Sequence, residues 1–356
     1  MKVTNLIKEK IQYSYPLNPV FGSAHLKAIL RCTVTKNQSL PEEVFFDVPE
    51  SLNVLPFSSS LHYGQTIFEG MKVFRQKDGS VGIFRPDLHA KRFVRSAKIM
   101  NMAPITEEFF LDCLYAFVDQ YKEFVPNEEN HSLYLRPLMI ANDNVIKVKS
   151  SEKYEFMIMA CVVGNYFTKG GVGQKVVVNK DFVRAFPNGT GEAKTAANYA
   201  LSLASIDYAY SKGYEQVLYL DSKNNKYIEE LGGMNFFICK NNELLTPKLT
   251  GTILHGVTRK SIIEIATHLG HKVSEVDISI DELLSDNKAG VVNEIFATGT
   301  AASISYLSQI GVVDSETQDI DVYEFNEIST GQKLLKYLMD TQVGLTEHST
   351  NWIKKF

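Results

Sequence analysis

The stretch from Arg184 to Tyr199 (RAFPNGTGEAKTAANY) brings one lysine, Lys194, to the point where a loop carrying Pro187, Gly189 and Gly191 gives way to small, helix-forming residues. A lysine amine held in a pocket can lose its proton, attack a carbonyl and hold it as a Schiff base. Ala193, Thr195, Ala196 and Ala197 leave no bulky neighbour to crowd an incoming molecule. Taken alone, a lysine in the first turn of an amphipathic helix reads more readily as a solvated surface group. Other segments have to supply the rest of a site.

Several do. An aldehyde cofactor such as pyridoxal phosphate needs an acid at its ring nitrogen, a phosphate site and a cavity for substrate. Glu229-Glu230-Leu-Gly-Gly-Met-Asn235 offers the acid at a strand edge, though it reads equally as two surface glutamates before a Gly-Gly turn. The segment Leu249 to Arg259 leads into a helix whose first N–H groups lack partners, which is a seat for phosphate or simply a capped helix. Thr298-Gly-Thr-Ala301 follows a strand and adds hydroxyl and backbone donors. Arg92 offers a bidentate guanidinium, or else lies on the solvated face of its helix. Tyr134 and Arg136 are two apart on an apolar strand, so both leave the same face, and a charge there is costly to bury without an anion. His268 and His271 have no matching carboxylate motif, and no metal is assigned.

Local pattern then sets the elements that position these groups. Ala24 to Thr35 predicts a strand, and Asp78-Gly79 a hairpin between Met71–Arg75 and Val81–Phe84. Helices are predicted from Arg85-Pro86-Asp87 and over Glu107 to Phe124, and strands over Ser132–Ile140 and Tyr154–Val163. The first half is thus expected to be α+β with an antiparallel sheet. Downstream, strands are predicted at Lys175–Asn179, Gln216–Asp221, Met234–Lys240 and Val291–Ala297, and helices near Lys194–Lys212, Ile253–Leu269 and Phe325–Met339. Gly171-Val-Gly173 leads into a strand instead of a helix, which excludes a dinucleotide fingerprint. The expected organisation is an N-terminal α+β domain over residues 1–167, a Gly-rich linker at 168–175, and a larger domain over 176–356 carrying Lys194.

Composition agrees with two folded domains. A chain of 356 residues exceeds one ordinary core, and 44% apolar with 22% charged residues fits a folded soluble protein. A net charge of −4 provides no field for nucleic acid. No apolar run approaches ~20 residues, so no membrane span is expected. The four cysteines, Cys32, Cys113, Cys161 and Cys239, form no CxxC pair, and the first ten residues have no signal-peptide core. A cytoplasmic location with reduced thiols is expected.

In combination the motifs LHYGQTIFEGMK, SLYLRP, GEAKTAANY, GYEQVLYLD, EELGGMN and ATGTAA resemble the fold-type IV pyridoxal-phosphate enzymes, most closely the branched-chain amino acid aminotransferases, from about Phe21 to Ser305. The resemblance implies a two-domain α+β enzyme, a homodimer, with its active site between the domains. It implies transamination of L-leucine, L-isoleucine and L-valine with 2-oxoglutarate by a ping-pong Schiff-base mechanism through Lys194. Tyr199 would bond the ring O3′, Glu230 the ring nitrogen, and Arg92, Val257, Thr258 and Thr300 the phosphate. Tyr134 and the backbone at Thr300 and Ala301 would receive the α-carboxylate, and Arg136 the second carboxylate of glutamate. Phe68, Tyr166 and Tyr199, with Tyr63, Ile146 and Val148 of the partner subunit, would line the side-chain pocket. Gly233 stands where some members carry threonine, and Ala302 and Ser305 replace a CxxC redox pair of some animal members. A D-amino acid aminotransferase or an aminodeoxychorismate lyase would use the same cofactor, but SLYLRP with LHYGQTIFEG favours the branched-chain enzyme. Lys194, Tyr199 and Glu230 together argue against a non-catalytic binder.

Overall fold

The computed structural model describes residues 1–16, 19–164 and 173–356. The chain divides into two compact units. The first comprises Met1–Tyr166, Ala193–Ala197 and Asp340–Phe356, and the second Phe167–Glu192 and Asn198–Met339. The expected boundary therefore misplaces two segments. Lys194 belongs to the first unit because Thr195 bridges Ile67 and Phe68 N–H donates to the Lys194 carbonyl at 3.0 Å. The C-terminus returns to it because Ile353–Lys355 pairs with Val81–Phe84. Of the expected linker, residues 168–172 lie outside the described residues, and Gln174 already opens the strand Gln174–Val178.

The first unit is a ten-stranded sheet with helices. Its centre is the pairing of Ser132–Ala141 with Lys153–Val163, flanked by Ile29–Thr35 and by Met71–Arg75. All pairs named here are antiparallel, as expected for the first half, while Lys2–Asn5 joins Glu43–Asp47 in parallel. The expected strand over Ala24–Thr35 is interrupted: only Ala24–His25 and Ile29–Thr35 are paired. The helix Glu107–Tyr121 starts at Thr106, whose hydroxyl accepts from Phe109 N–H at 3.1 Å, and tightens into a 3₁₀ turn over Lys122–Phe124 ahead of Pro126. It buries Phe110 against Phe93 and Phe156, rings 4.9 to 6.1 Å apart. Each fully buried phenyl contributes roughly 1.5–3 kcal/mol, so this aromatic layer anchors the helix Pro86–Ile99, which carries Arg92.

In the second unit six strands close on themselves. The order runs Ile228–Leu231, Gln216–Leu220, Gln174–Val178, Ser303–Val313, Glu294–Gly299 and Asn235–Lys240, and the last pairs back onto the first. Gln174–Val178 is parallel to both its neighbours and buries Val176, Val177 and Val178, so it reads as a continuous Val run. Three helices start later than local pattern predicts. Lys194 lies on extended chain before the helix Ala196–Ser211. Leu254 N–H is taken by the Glu230 carboxylate, so that helix waits until Val257–His268. The helix Ser329–Gln342 begins where Glu294 accepts the N–H groups of Thr330 and Gly331 at 3.0 and 2.5 Å.

Candidate active site

Lys194 is fixed by its own backbone. Ser96 Oγ accepts its N–H at 2.9 Å, Phe68 N–H donates to its carbonyl, and the buried Thr195 hydroxyl donates to Thr66 O at 2.8 Å. The half-buried side chain places Nζ 4.9 Å from the centroid of the Phe68 ring. Arg136 lies over the same ring, its Cζ 4.8 Å from the centroid, and donates to the Tyr134 hydroxyl at 3.3 Å. Arg136 Nε is buried with no hydrogen-bond partner. A Cβ on Gly70 would fall 1.8 Å from the Tyr134 hydroxyl, so only glycine fits beside it. The first unit thus gathers an amine, an apolar ring and a guanidinium.

The same unit holds a buried acid, Glu69. Arg92 donates to it from Nε at 2.6 Å and from Nη2 at 2.8 Å, and His89, one helical turn earlier, meets it through Nδ1 at 2.7 Å. Burial opposes ionisation, yet Arg92 and then His89 hold the Glu69 carboxyl far below the usual carboxylate range. His89 is itself pushed down by burial, against the pull of Glu69. The network therefore assigns it as a neutral ring donating Nδ1–H. Arg92 is buried against this acid, and the alternative of a solvated arginine is excluded.

In the second unit Glu230 is 3% exposed and accepts from Leu254 N–H at 2.9 Å and from Asn235 Nδ2 at 2.8 Å, with Arg184 Nη2 at 2.6 Å. Arg184 also donates to the carbonyls of Gly191 and Thr252, tying the loop before Lys194 to the one after Glu230. Glu229 is buried too. Its Oε1 accepts from the Thr252 hydroxyl, and burial pushes its carboxyl up to about 7. The reading of these two residues as surface glutamates is thereby overturned. Gly256 opens the helix Val257–His268 without a side-chain cap, and Val257 and Thr258 are buried in its first turn. A Cβ on Gly256 would collide with Asn235 Oδ1 at 1.9 Å. Thr298 Oγ1 is buried without a partner, two residues before the half-buried Thr300 and three before Ala301.

Residues 66–310 match the family model described as amino-transferase class IV. The chain is 41% identical over 302 residues to branched-chain-amino-acid transaminase 1 of Bacillus subtilis (strain 168), covering 85% of this chain and 84% of that one. This chain belongs to the class IV aminotransferases. Two solved structures resemble it. One is the branched-chain aminotransferase of Thermoproteus uzoniensis with norvaline, with a TM-score of 0.72 and 25% identity, covering 92% of this chain and 99% of that one. The other is the branched-chain amino acid aminotransferase of Escherichia coli, with a TM-score of 0.71 and 26% identity, covering 87% and 96%.

The residues present in this aminotransferase fit a pyridoxal phosphate. A buried carboxylate with three donors suits a protonated ring nitrogen, while the uncapped helix start and the unpartnered Thr298 hydroxyl suit a phosphate. Tyr199 is half-buried near the start of the helix Ala196–Ser211. Tyr63, Ile146 and Val148 are exposed apolar side chains of the first unit, and Tyr166 lies outside the described residues. Sequence reasoning missed Glu69, His89, Ser96 and the pairing role of Arg184. The available signal was a glutamate between Phe68 and Gly70 in an apolar segment, with His89 and Arg92 three apart on one helical face.

Proposed function

We propose that this aminotransferase moves the amino group of L-leucine, L-isoleucine and L-valine to 2-oxoglutarate, giving branched-chain 2-oxo acids and L-glutamate, with pyridoxal 5′-phosphate as cofactor. The observation that carries the reading is the placement of the Lys194 amine and the Arg136 guanidinium over one phenyl ring, Phe68. An apolar surface beside a cation can take both an aliphatic side chain and a carboxylate. When bound, pyridoxal phosphate supplies an electron sink for the charge left on the substrate Cα after its proton departs.

The chain's own groups do the rest. Lys194 Nζ is the group that would hold the cofactor aldehyde and would carry the proton of the substrate Cα. Its backbone bonds to Ser96 and Phe68 fix where that proton can be delivered. Glu230 would pair with the ring nitrogen and keep it protonated, and Tyr199 would bond the ring oxygen. Arg92, oriented by Glu69, acts on the phosphate together with Val257, Thr258 and Thr300. Tyr134 and the backbone of Thr300–Ala301 take the α-carboxylate. Arg136 takes the second carboxylate of glutamate, while Phe68 and Tyr166 contact the aliphatic chains. Tyr63, Ile146 and Val148 of the partner subunit complete the lining in a homodimer, which gives those exposed apolar side chains a cover. One methylene in such a pocket changes binding by only ~1–3 kcal/mol, so the three aliphatic substrates are not sharply separated. The reaction is assigned to the cytoplasm, and among the described residues no helix is long and apolar enough to cross a membrane.

Lys194→Ala tests the assignment. Transamination and the yellow colour of the lysine-bound cofactor should both disappear. A variant that kept both would remove Lys194 from the centre of the reaction.

A further inference from the structure

Glu229 and Glu230 follow one another on the strand Ile228–Leu231, so their side chains leave opposite faces. Their surroundings are unequal. Glu230 has Leu254 N–H, Asn235 Nδ2 and Arg184 Nη2, three donors that favour the anion. Glu229, 5% exposed, has the Thr252 hydroxyl at Oε1, while its Oε2 is buried with no partner. The charges facing Glu229 are Arg184, Glu230 and Asp221. Asp221 already accepts the N–H groups of Asn224, Lys226 and Tyr227, and Arg184 is drawn to Glu230. Two buried carboxyls thus share one guanidinium, an arrangement in which one of them keeps a proton.

The second face of Glu229 has an outlet. It lines a cavity of about 180 Å³ whose wall also includes Lys223, Lys248 and Asp277, with Lys248 paired to Asp277. From the same wall the hydroxyl of Thr250, an exposed residue, meets that of Thr252 at 2.9 Å, and Thr252 donates to Glu229. A short chain of hydroxyls therefore runs from the surface to the acid.

We propose that Glu229 is a positioning residue that stands as the neutral acid beside an ionised Glu230, leaving the charge of Arg184 to Glu230 and so fixing the negative charge presented to the ring nitrogen. This rests on the reading of Glu230 given above. The proton on Glu229 exchanges with solvent through the cavity and the Thr252–Thr250 hydroxyls. The raised value of about 7, caused first by burial and then opposed by Thr252 and Arg184, agrees with that state.

The cofactor-free full-length protein tests it without any turnover. A carboxyl whose folded value is raised binds its proton more tightly when folded, so stability falls as pH climbs from the usual 4.5 through about 7. The thermal unfolding midpoint of the wild type should therefore decline relative to that of Glu229→Gln between about pH 5 and about pH 9. Parallel profiles overturn the proposal. If the variant does not fold, infrared spectra of the wild type decide. A buried carboxylic-acid band at about pH 6 that vanishes by about pH 9 supports the proposal, and its absence at both overturns it. Glu230→Gln in the same scan should move the decline to lower pH, because the neighbouring charge that raises Glu229 is gone. Failure of the Glu230 reading would appear elsewhere, as undiminished turnover of Glu230→Gln with the cofactor-free wild-type profile still sloped.

Discussion

Glu69 in the first unit and the Glu229–Glu230 pair in the second are all carboxyls removed from water, but one arginine serves a single carboxyl in the first case and two in the second. Glu69 alone has Arg92 at both oxygens and a histidine N–H besides. Glu229 and Glu230 together have Arg184. Desolvation is unfavourable for every one of these groups, and the donors available to each decide its charge. Surplus donors hold Glu69 as an anion. A shared donor leaves the second pair with room for a proton, which is useful beside a proposed cofactor whose ring nitrogen must itself stay protonated. In the first unit one acid orients an arginine, and in the second one arginine is divided between two acids.

Removing Glu69 should have the largest effect. Breaking a buried ion pair by deleting one partner costs about 3–5 kcal/mol, because the remaining charge stays buried and unpaired. Glu69→Gln should lower stability by that order in denaturant titration at neutral pH. The sign of its pH dependence opposes that of Glu229. A carboxyl held low contributes stability above the usual value of 4.5 and loses it as pH falls further, so the deficit of the variant should shrink in acid. A loss under about 1 kcal/mol would mean that Arg92 finds another anion, and the contrast between the clusters would fail.

Glu230→Gln should leave cofactor bound yet slow the leucine half-reaction by about 10³-fold, roughly 4 kcal/mol of barrier, since a neutral amide cannot keep the ring nitrogen protonated. Stopped-flow spectra with leucine measure it. A rate within a few-fold of wild type would transfer the acid's role to Glu229.

How far these clusters were legible in sequence differs as well. Lys194 stood out because small residues surround it, whereas Glu230 was told apart from Glu229 only by the family resemblance. Sequence placed Lys194 in a helix, whereas the structure puts it on extended chain, since Thr195 is drawn into a bridge with Ile67 that no local pattern reveals. The central strand Ser303–Val313 escaped notice because serine, glutamine and glycine interrupt its apolar run. Glu69, His89 and Arg92 were visible as residues but not as partners: their closeness depends on how the helix Pro86–Ile99 packs, and packing is a long-range property. Glu229 looked like a surface glutamate until Thr252 and the closed ring of strands buried it.

Arg136 is the converse of Glu229, a half-buried cation whose Nε is itself buried without a partner. Its proposed anion arrives with the substrate. Arg136→Gln should weaken glutamate and 2-oxoglutarate by roughly 30- to 150-fold in kcat/KM, the equivalent of ~2–3 kcal/mol for a charge-assisted contact, and leucine far less. Single-turnover kinetics with each substrate separate the two. Equal losses would assign Arg136 to the α-carboxylate or to the fold.

The smallest effect is expected at Thr252, and it asks directly whether Glu229 is neutral. Thr252→Val keeps the shape of the side chain and removes the one hydroxyl that Glu229 Oε1 accepts from. A hydrogen bond to a neutral acid is worth about 0.5–1.5 kcal/mol, and one to a carboxylate about 1.5–3. The substitution should therefore cost the smaller amount at about pH 6, and the larger one only above about pH 8, where Glu229 has lost its proton. The hydroxyl lowers the Glu229 value, so its loss should also push the titration of that acid upward. Denaturant titrations of wild type and variant at both pH values supply the comparison. A cost in the larger range at both would mean that Glu229 is already an anion at about pH 6, and that Arg184 serves two charges at once.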